Sequence, residues 1–191
     1  DGSCIPGNLV IGDFFRGGII FYFDGIGGGL IAAPSDQFQF TTYHFGPEWG
    51  GNNPQYYQIP GANGTNIGSG NQNTIDILAS NPLPLQNNNP IAANMCDTLT
   101  LGGFSDWFLP SQDELNEMYL NLVVTGIVSN FNTSNQSFSD YWSSTESQTI
   151  TGWPPGTGGG GAYAWKQSFF NGSQHETNKS NNFNVRAIRA F

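Results

Sequence analysis

Basic residues are scarce in this chain of 191 residues, which contains five Lys and Arg against fourteen Asp and Glu. The formal net charge at pH 7 is -9, and charged residues make up only 10% of the sequence. Proteins bind nucleic acids and sulfated polyanions through clustered Lys and Arg. The composition therefore argues against both ligands. Polarity comes instead from uncharged side chains such as the twenty-two Asn.

Long apolar runs are also absent, and no signal peptide is visible. A membrane-spanning helix needs roughly 20 consecutive apolar residues, so we expect no membrane insertion. The sequence begins at Asp1 rather than at Met. We therefore expect a processed product or a piece of a longer protein.

Cysteine is limited to Cys4 and Cys96. An even number of cysteines in a charge-poor domain rich in Asn, Gly and aromatic residues is typical of an exported protein with one disulfide. The sequence therefore predicts a disulfide between Cys4 and Cys96. The alternative is two unrelated free thiols.

Histidine occurs only at His44 and His175, and neither lies in a metal-ligand spacing. Carboxylates for glycoside hydrolysis would have to come from Asp106, Asp113 or Glu146, and Asp113 is better explained by the start of a helix. We therefore expect a protein that is not an enzyme. No EF-hand spacing is present, but oxygen-rich loops suit calcium, so the sequence admits calcium without requiring it.

The pattern of apolar residues predicts an α+β domain. Strand-like runs cover 19–23, 30–33, 141–146, 162–170 and 184–191, and a glycine-rich turn joins the first two. Asn89 and Pro90 predict the start of one helix, and Ser111 with Glu114 forms a capping box for another. A shorter helix is expected at about 74–79. Arg186 and Arg189 should be buried in the last strand and paired with Glu146 or Asp106.

Long irregular segments lie at 38–66, 147–161 and 171–183, and ordered loops on a rigid scaffold often carry function. Aromatic rings beside amides suit the recognition of a glycan or a protein. The candidate ligand-binding residues are Trp49, Tyr56, Tyr57, Trp153, His175, Glu176, Asn178 and Asn182. The alternative for the aromatic residues is that their rings pack beneath their own loops. The alternative for the polar residues is that they are simply solvent-exposed residues at the turn of the last hairpin.

Five motifs occur in an order that carries a resemblance to a known family: 17–22 (GGIIFY), 91–96 (IAANMC), 102–111 (GGFSDWFLPS), 141–146 (YWSSTE) and 185–191 (VRAIRAF). With them, the chain from about residue 12 to its end resembles the C-terminal domains of Lcl-type collagen-like bacterial adhesins. That family is similar to C-type lectins in fold. The motifs of calcium-dependent sugar sites in true C-type lectins are absent from this sequence.

The resemblance implies one C-type lectin-like domain over residues 1–191, with two main helices on a small antiparallel sheet and a tail or linker at 1–11. It implies a secreted or cell-surface adhesion module, or part of a virion fibre, that binds a surface glycan or protein. The alternative function is a structural subunit or tip of a bacterial surface filament or phage fibre. The family's association with collagen-like stalks implies trimers, although no Gly-x-y repeat occurs here.

Overall fold

The computed structural model describes residues 8–38, 46–50, 58–80, 91–128, 130–149 and 161–191. These residues form two antiparallel sheets and three α-helices. The architecture is α+β, as the sequence predicts, but the strands are divided between two sheets rather than gathered into one.

Four antiparallel strands form the first sheet: β1 Phe14–Phe15, β2 Gly18–Phe23, β3 Gly29–Ala32 and β7 Ile188–Ala190. Their order is β1–β2–β3–β7, so the end of the chain pairs with its beginning. Between β2 and β3, Asp24 Oδ1 accepts backbone N–H groups of Ile26 at 2.8 Å and Gly28 at 2.9 Å. This confirms the predicted turn.

The second sheet has three antiparallel strands: β4 Asp140–Glu146, β5 Tyr163–Ser168 and β6 Gln174–Asn178. They lie in the order β4–β5–β6. Strand β6 falls in a segment where the sequence suggested only a turn. None of its five residues is fully buried, and its polar side chains give no apolar alternation.

The predicted last strand, 184–191, divides between the sheets. Only Ile188–Ala190 joins the first sheet. Upstream, Asn184 O accepts the Trp142 N–H at 3.1 Å, and the Asn184 N–H donates to Asp140 O at 3.0 Å. This segment therefore ties the edge of the second sheet to the first.

The helices are α1 Gly70–Ser80, α2 Ala92–Asp97 and α3 Gln112–Met118, and α3 continues as a π-helical segment, Tyr119–Val124. The predicted capping box is confirmed, because Ser111 Oγ accepts the Glu114 N–H and Glu114 Oε2 accepts the Ser111 N–H. Helix α1 is longer than predicted. Helix α2 begins after Ile91, while Asn89 and Pro90 lie outside the described residues.

Both arginines of the last segment are buried and paired with an aspartate, but only Asp36 is itself buried, since the Asp106 side chain is 63% exposed. Arg189 pairs with Asp106, as the sequence suggested. Arg186 pairs instead with Asp36, and it also donates to Ala33 O at 2.9 Å and Asn130 O at 3.1 Å. Asp36 lies in the irregular segment after β3, whose position no periodicity in the sequence could predict.

Candidate functional site

The end of β4 is a meeting point for loops that the sequence assigned to recognition. The Glu146 N–H donates to Ala62 O at 2.7 Å, and Thr145 Oγ1 donates to Gly64 O at 2.8 Å. Thr149 Oγ1, three residues beyond the strand, donates to Glu176 Oε2 at 2.7 Å. Parts of the loops 38–66, 147–161 and 171–183 therefore lie together at one end of the second sheet.

A second set of contacts adds the segment 46–50 to this end of the sheet. The Trp49 N–H donates to Lys179 O at 3.0 Å, and Asn182 Nδ2 donates to Gly46 O. Asn182, a candidate ligand-binding residue, is half-buried, and its side-chain amide makes this hydrogen bond within the protein. Its position is that of a side chain that holds two loops together.

A buried ion pair lies beneath these loops. Lys179 Nζ pairs with Glu146 Oε1, and the two side chains are 0% and 1% exposed. Both carboxylate oxygens of Glu146 accept the Ile59 N–H, at 3.0 and 2.9 Å. Lys179 Nζ lies 4.5 Å from the centre of the Trp49 ring. This pair of charges thus contacts two further segments of chain, one at Ile59 and one at Trp49. We call Glu146, Lys179, Trp49 and Ile59 the anchor.

Burial sets the direction in which the anchor groups titrate. Loss of water disfavours the charged form of each group. It raises the pKa of Glu146, against the opposing effect of Lys179, and it lowers the pKa of Lys179, against the opposing effect of Glu146. Each charge is therefore tolerated only because the other is present.

Trp49 requires a correction, because the sequence predicted a ring that faces solvent. The side chain is fully buried, and its Nε1–H donates to Ser143 O at 2.7 Å. An indole with its only donor satisfied inside the protein is a packing element. Trp49 therefore supports the loops from below and cannot itself contact a ligand.

The strand register assembles a different aromatic surface. Trp165 on β5 lies directly opposite Glu176 on β6, and Tyr163 lies opposite Asn178. Paired residues in an antiparallel sheet share a face, and residues two apart on a strand do so as well. We call Tyr163, Trp165, Glu176 and Asn178 the aromatic face. Both rings and Asn178 are half-buried, and Glu176 is exposed.

Helix α3 borders the aromatic face. Gln167, the next residue on the same side of β5, donates from Nε2 to Asn116 Oδ1 at 2.8 Å. Its partner Gln174 donates to Gln112 O at 2.9 Å. Helix α3 thus covers this side of the sheet at Gln167 and Gln174. The aromatic face is the neighbouring part of the same side, beyond the helix.

Sequence reasoning missed Tyr163 and Trp165 as site residues. Their alternation along 162–170 was visible, but the strand that brings polar partners beside them was not predicted. The structure also separates two candidates that are adjacent in sequence, because His175 lies opposite Lys166 on the other side of the sheet from Glu176. Both belong to a strand rather than to a turn.

Several predicted residues cannot be placed in the site. Tyr56, Tyr57, Trp153 and Cys4 lie outside the described residues. Cys96 is a free, fully buried thiol, so the predicted disulfide has no support. Burial raises the pKa of that thiol far above its ordinary range.

The described ranges contain neither a metal-binding cluster nor a membrane-spanning helix. No three His, Cys, Asp or Glu side chains there form a group that could hold a metal ion. Within the same ranges, no helix has both the length and the apolar character needed to cross a bilayer.

The chain is similar to a known protein family over most of its length. The model of the Lcl C-terminal domain matches residues 63–189. The chain belongs to the Lcl C-terminal domain family. A search of curated proteins found no match. Membership of the Lcl C-terminal domain family is consistent with a surface-associated or secreted domain.

The region that matches the Lcl C-terminal domain contains α1, α2, α3, the whole second sheet and most of β7. Strands β1, β2 and β3 precede it, although β7 needs β3 as its partner. Two anchor residues, Trp49 and Ile59, also precede the matched region. The folded unit therefore extends upstream of the Lcl C-terminal domain as the family model bounds it.

Proposed function

We propose that this chain is an extracellular, non-enzymatic adhesion or receptor-binding module with a C-type lectin-like fold. It recognises a surface glycan or a surface protein. The observation that supports this most directly is the aromatic face, where Trp165 and Glu176 lie side by side at the point where the loops meet. A ring beside hydrogen-bonding groups suits both sugars and protein side chains.

The mechanism is contact with a preformed surface rather than electrostatic attraction. The anchor fixes the segments that carry Trp49, Ile59 and Lys179 before any ligand arrives, so these segments lose little conformational entropy on binding. Glu176 is the charged member of the aromatic face, and the whole chain carries a charge of -9. An acidic surface disfavours sulfated ligands. The ligand is therefore neutral or basic where it meets this face.

A glycan array and a pull-down from surface extracts, each with and without chelator, test this proposal. We expect a ligand whose binding is lost in Trp165→Ala and reduced in Glu176→Gln. The matched controls are Phe170→Ala, an exposed aromatic ring just beyond β5, and Glu117→Gln on helix α3. Circular dichroism verifies that each variant folds. The chelator arm tests calcium directly.

Two outcomes would overturn the proposal. One is the absence of any ligand across both panels. The other is binding that survives Trp165→Ala as well as it survives Phe170→Ala.

Assembly into a filament or fibre is a second candidate function. Phe14 is 67% exposed and Ile127 is 47% exposed, and the Ile127 side chain lies against Gly12, two residues before Phe14. Val10 and Val124, also exposed, are close to these residues in sequence. Such a patch suits a contact between copies of the chain, and the family resemblance favours trimers.

A further inference from the structure

An open groove lies between the segment that follows β3 and helix α2. Its volume is about 510 Å³, within the range of roughly 300–1,000 Å³ typical of small-ligand sites. The lining residues are Ser35, Asp36, Gln37, Asn94, Met95, Thr98, Leu99 and Thr100. None of them belongs to the anchor or to the aromatic face. We call this site the α2 groove.

Some polar groups of the α2 groove are already used to build it. Gln37 donates from Nε2 to Ser35 O at 2.9 Å and accepts the Ala187 N–H. Thr98 Oγ1 donates to Asn94 O at 2.7 Å. These bonds fix the shape of both walls. The groove is therefore formed before a ligand binds.

Three other polar side chains have no protein partner within the described ranges: the Ser35 hydroxyl, the Asn94 amide and the Thr100 hydroxyl. Asn94 is half-buried in the groove wall, while Ser35 and Thr100 are exposed at its rim. An amide offers two donors and an acceptor, and each hydroxyl offers one donor and an acceptor. The free groups can therefore both donate to and accept from a ligand.

The groove carries no free charge of its own. Asp36 is its only ionisable lining residue, and that side chain is fully buried against Arg186. Asp36 Oδ2 also accepts the Tyr141 hydroxyl at 2.9 Å. Both of its oxygens are thus engaged beneath the wall. A phosphate, sulfate or carboxylate would find no cation among the lining residues.

Met95 and Leu99 supply the apolar part of the groove. Both are half-buried and pack against the main core, which holds their remaining exposed surface in place. They offer a fixed apolar patch between the amide and the hydroxyl groups. That combination matches a pyranose ring, which has an apolar C–H face and a rim of hydroxyl groups.

We propose that the α2 groove is a binding site for a neutral saccharide, separate from the aromatic face. Asn94, Ser35 and Thr100 hydrogen-bond the sugar hydroxyls, and Met95 with Leu99 contacts the ring. Because the two sites share no residue, this inference and the proposed adhesion function can fail independently.

Amide chemical-shift mapping by NMR tests the proposal with the whole chain. The probes are galactose, mannose, N-acetylglucosamine, its 6-sulfate and a neutral Ser/Thr/Asn-containing peptide. We expect at least one neutral sugar to shift the amides of 35–37 and 94–100. N-acetylglucosamine should bind more tightly than its 6-sulfate, since the groove has no cation for the sulfate.

Variants separate a specific site from weak surface contact. Asn94→Leu keeps the side-chain size, removes the amide and should lower affinity about tenfold, as expected for one or two lost hydrogen bonds. Asn71→Leu, the same change on the exposed side of α1, should leave affinity unchanged. Ser35→Ala and Thr100→Val at the exposed rim give the same test if Asn94→Leu does not fold.

Four results would overturn the groove proposal: no shift with any neutral sugar, equal affinity in Asn94→Leu and Asn71→Leu, binding of the peptide alone, or shifts confined to 163–165 and 174–178. The last result would place the sugar on the aromatic face. It would leave the proposed adhesion function intact.

Discussion

At the scale of single residues, the buried pair of Glu146 and Lys179 is the feature on which the candidate site depends. Moving two charges out of water costs several kcal/mol per ion, and their attraction offsets that cost only while both are present. No pattern in the sequence indicated this pair. Glu146 was considered as a partner for arginine, and Lys179 lies in a polar stretch that looked like an exposed turn.

Replacing Lys179 should therefore strongly destabilise the folded protein. Lys179→Met leaves Glu146 buried without its partner, and we expect a loss of about 3–5 kcal/mol in the free energy of unfolding. The double variant with Glu146→Gln should recover part of the loss. Urea denaturation measures all three proteins.

Lys166→Met is the matched control for that experiment. Its pair with Asp140 keeps 19% and 11% side-chain exposure, so water still reaches both groups. Lys166→Met should lower the free energy of unfolding by less than Lys179→Met does. Equal losses would contradict the role assigned to the anchor.

The buried carboxyl of Glu114 should make the stability of the fold depend on pH. Burial raises the pKa of this carboxyl above its ordinary value of 4.5, although hydrogen bonds from Ser111 and Gly68 oppose the shift. A carboxyl with a raised folded-state pKa favours folding most at low pH, and this contribution is lost as pH rises through the folded pKa.

The comparison with Glu114→Gln isolates that contribution. The excess stability of the wild type over the variant should shrink as pH rises from below 4.5 towards neutrality. Thermal or urea unfolding across this range measures it. A difference that stays constant or grows would show that Glu114 does not titrate as its burial implies.

At the scale of elements, strand β6 depends on the tight turn that precedes it. Gly172 has a φ of 78°, and a Cβ there would lie 2.5 Å from Tyr119 Cε1. The ring of Tyr119 packs against Phe169 at 5.4 Å between centroids. This close approach explains why glycine occupies the position.

Gly172→Ala should therefore destabilise the protein more than Gly103→Ala. Both positions have positive φ, which costs a non-glycine residue about 1–2 kcal/mol. Gly103, with a φ of 83°, has open space where the Cβ would go. The difference between the two unfolding free energies measures the clash with Tyr119. Similar values would mean that the turn relaxes freely.

The elements that could be predicted from sequence are those with local signals. The capping box of Ser111 and Glu114 begins α3, and a glycine-rich turn joins β2 to β3. By contrast, β1 has only two residues and β6 only five, all of them polar, so neither shows the apolar alternation from which a strand is predicted, although each pairs with a strand close in sequence. The aromatic face was missed for the same reason, since its rings and its polar groups lie on two strands, one of them unpredicted.

At the scale of the whole molecule, the exposed patch at Phe14 and Ile127 predicts self-association. Light scattering after size exclusion should give a wild-type mass of a trimer and a lower mass for Phe14→Ser. Ile26→Ser is the control, because Ile26 is 92% exposed in the β2–β3 turn. An unchanged mass in Phe14→Ser would contradict assembly through this patch.

The pairing of β3 with β7 also constrains when the molecule can fold. Ala32 finds its partner, Ile188, only once synthesis of the chain has passed that distant position. Contacts of such long sequence separation form slowly. A nascent chain that has not yet reached Ile188 leaves that edge of β3 unpaired, so the first sheet stays incomplete until this segment emerges.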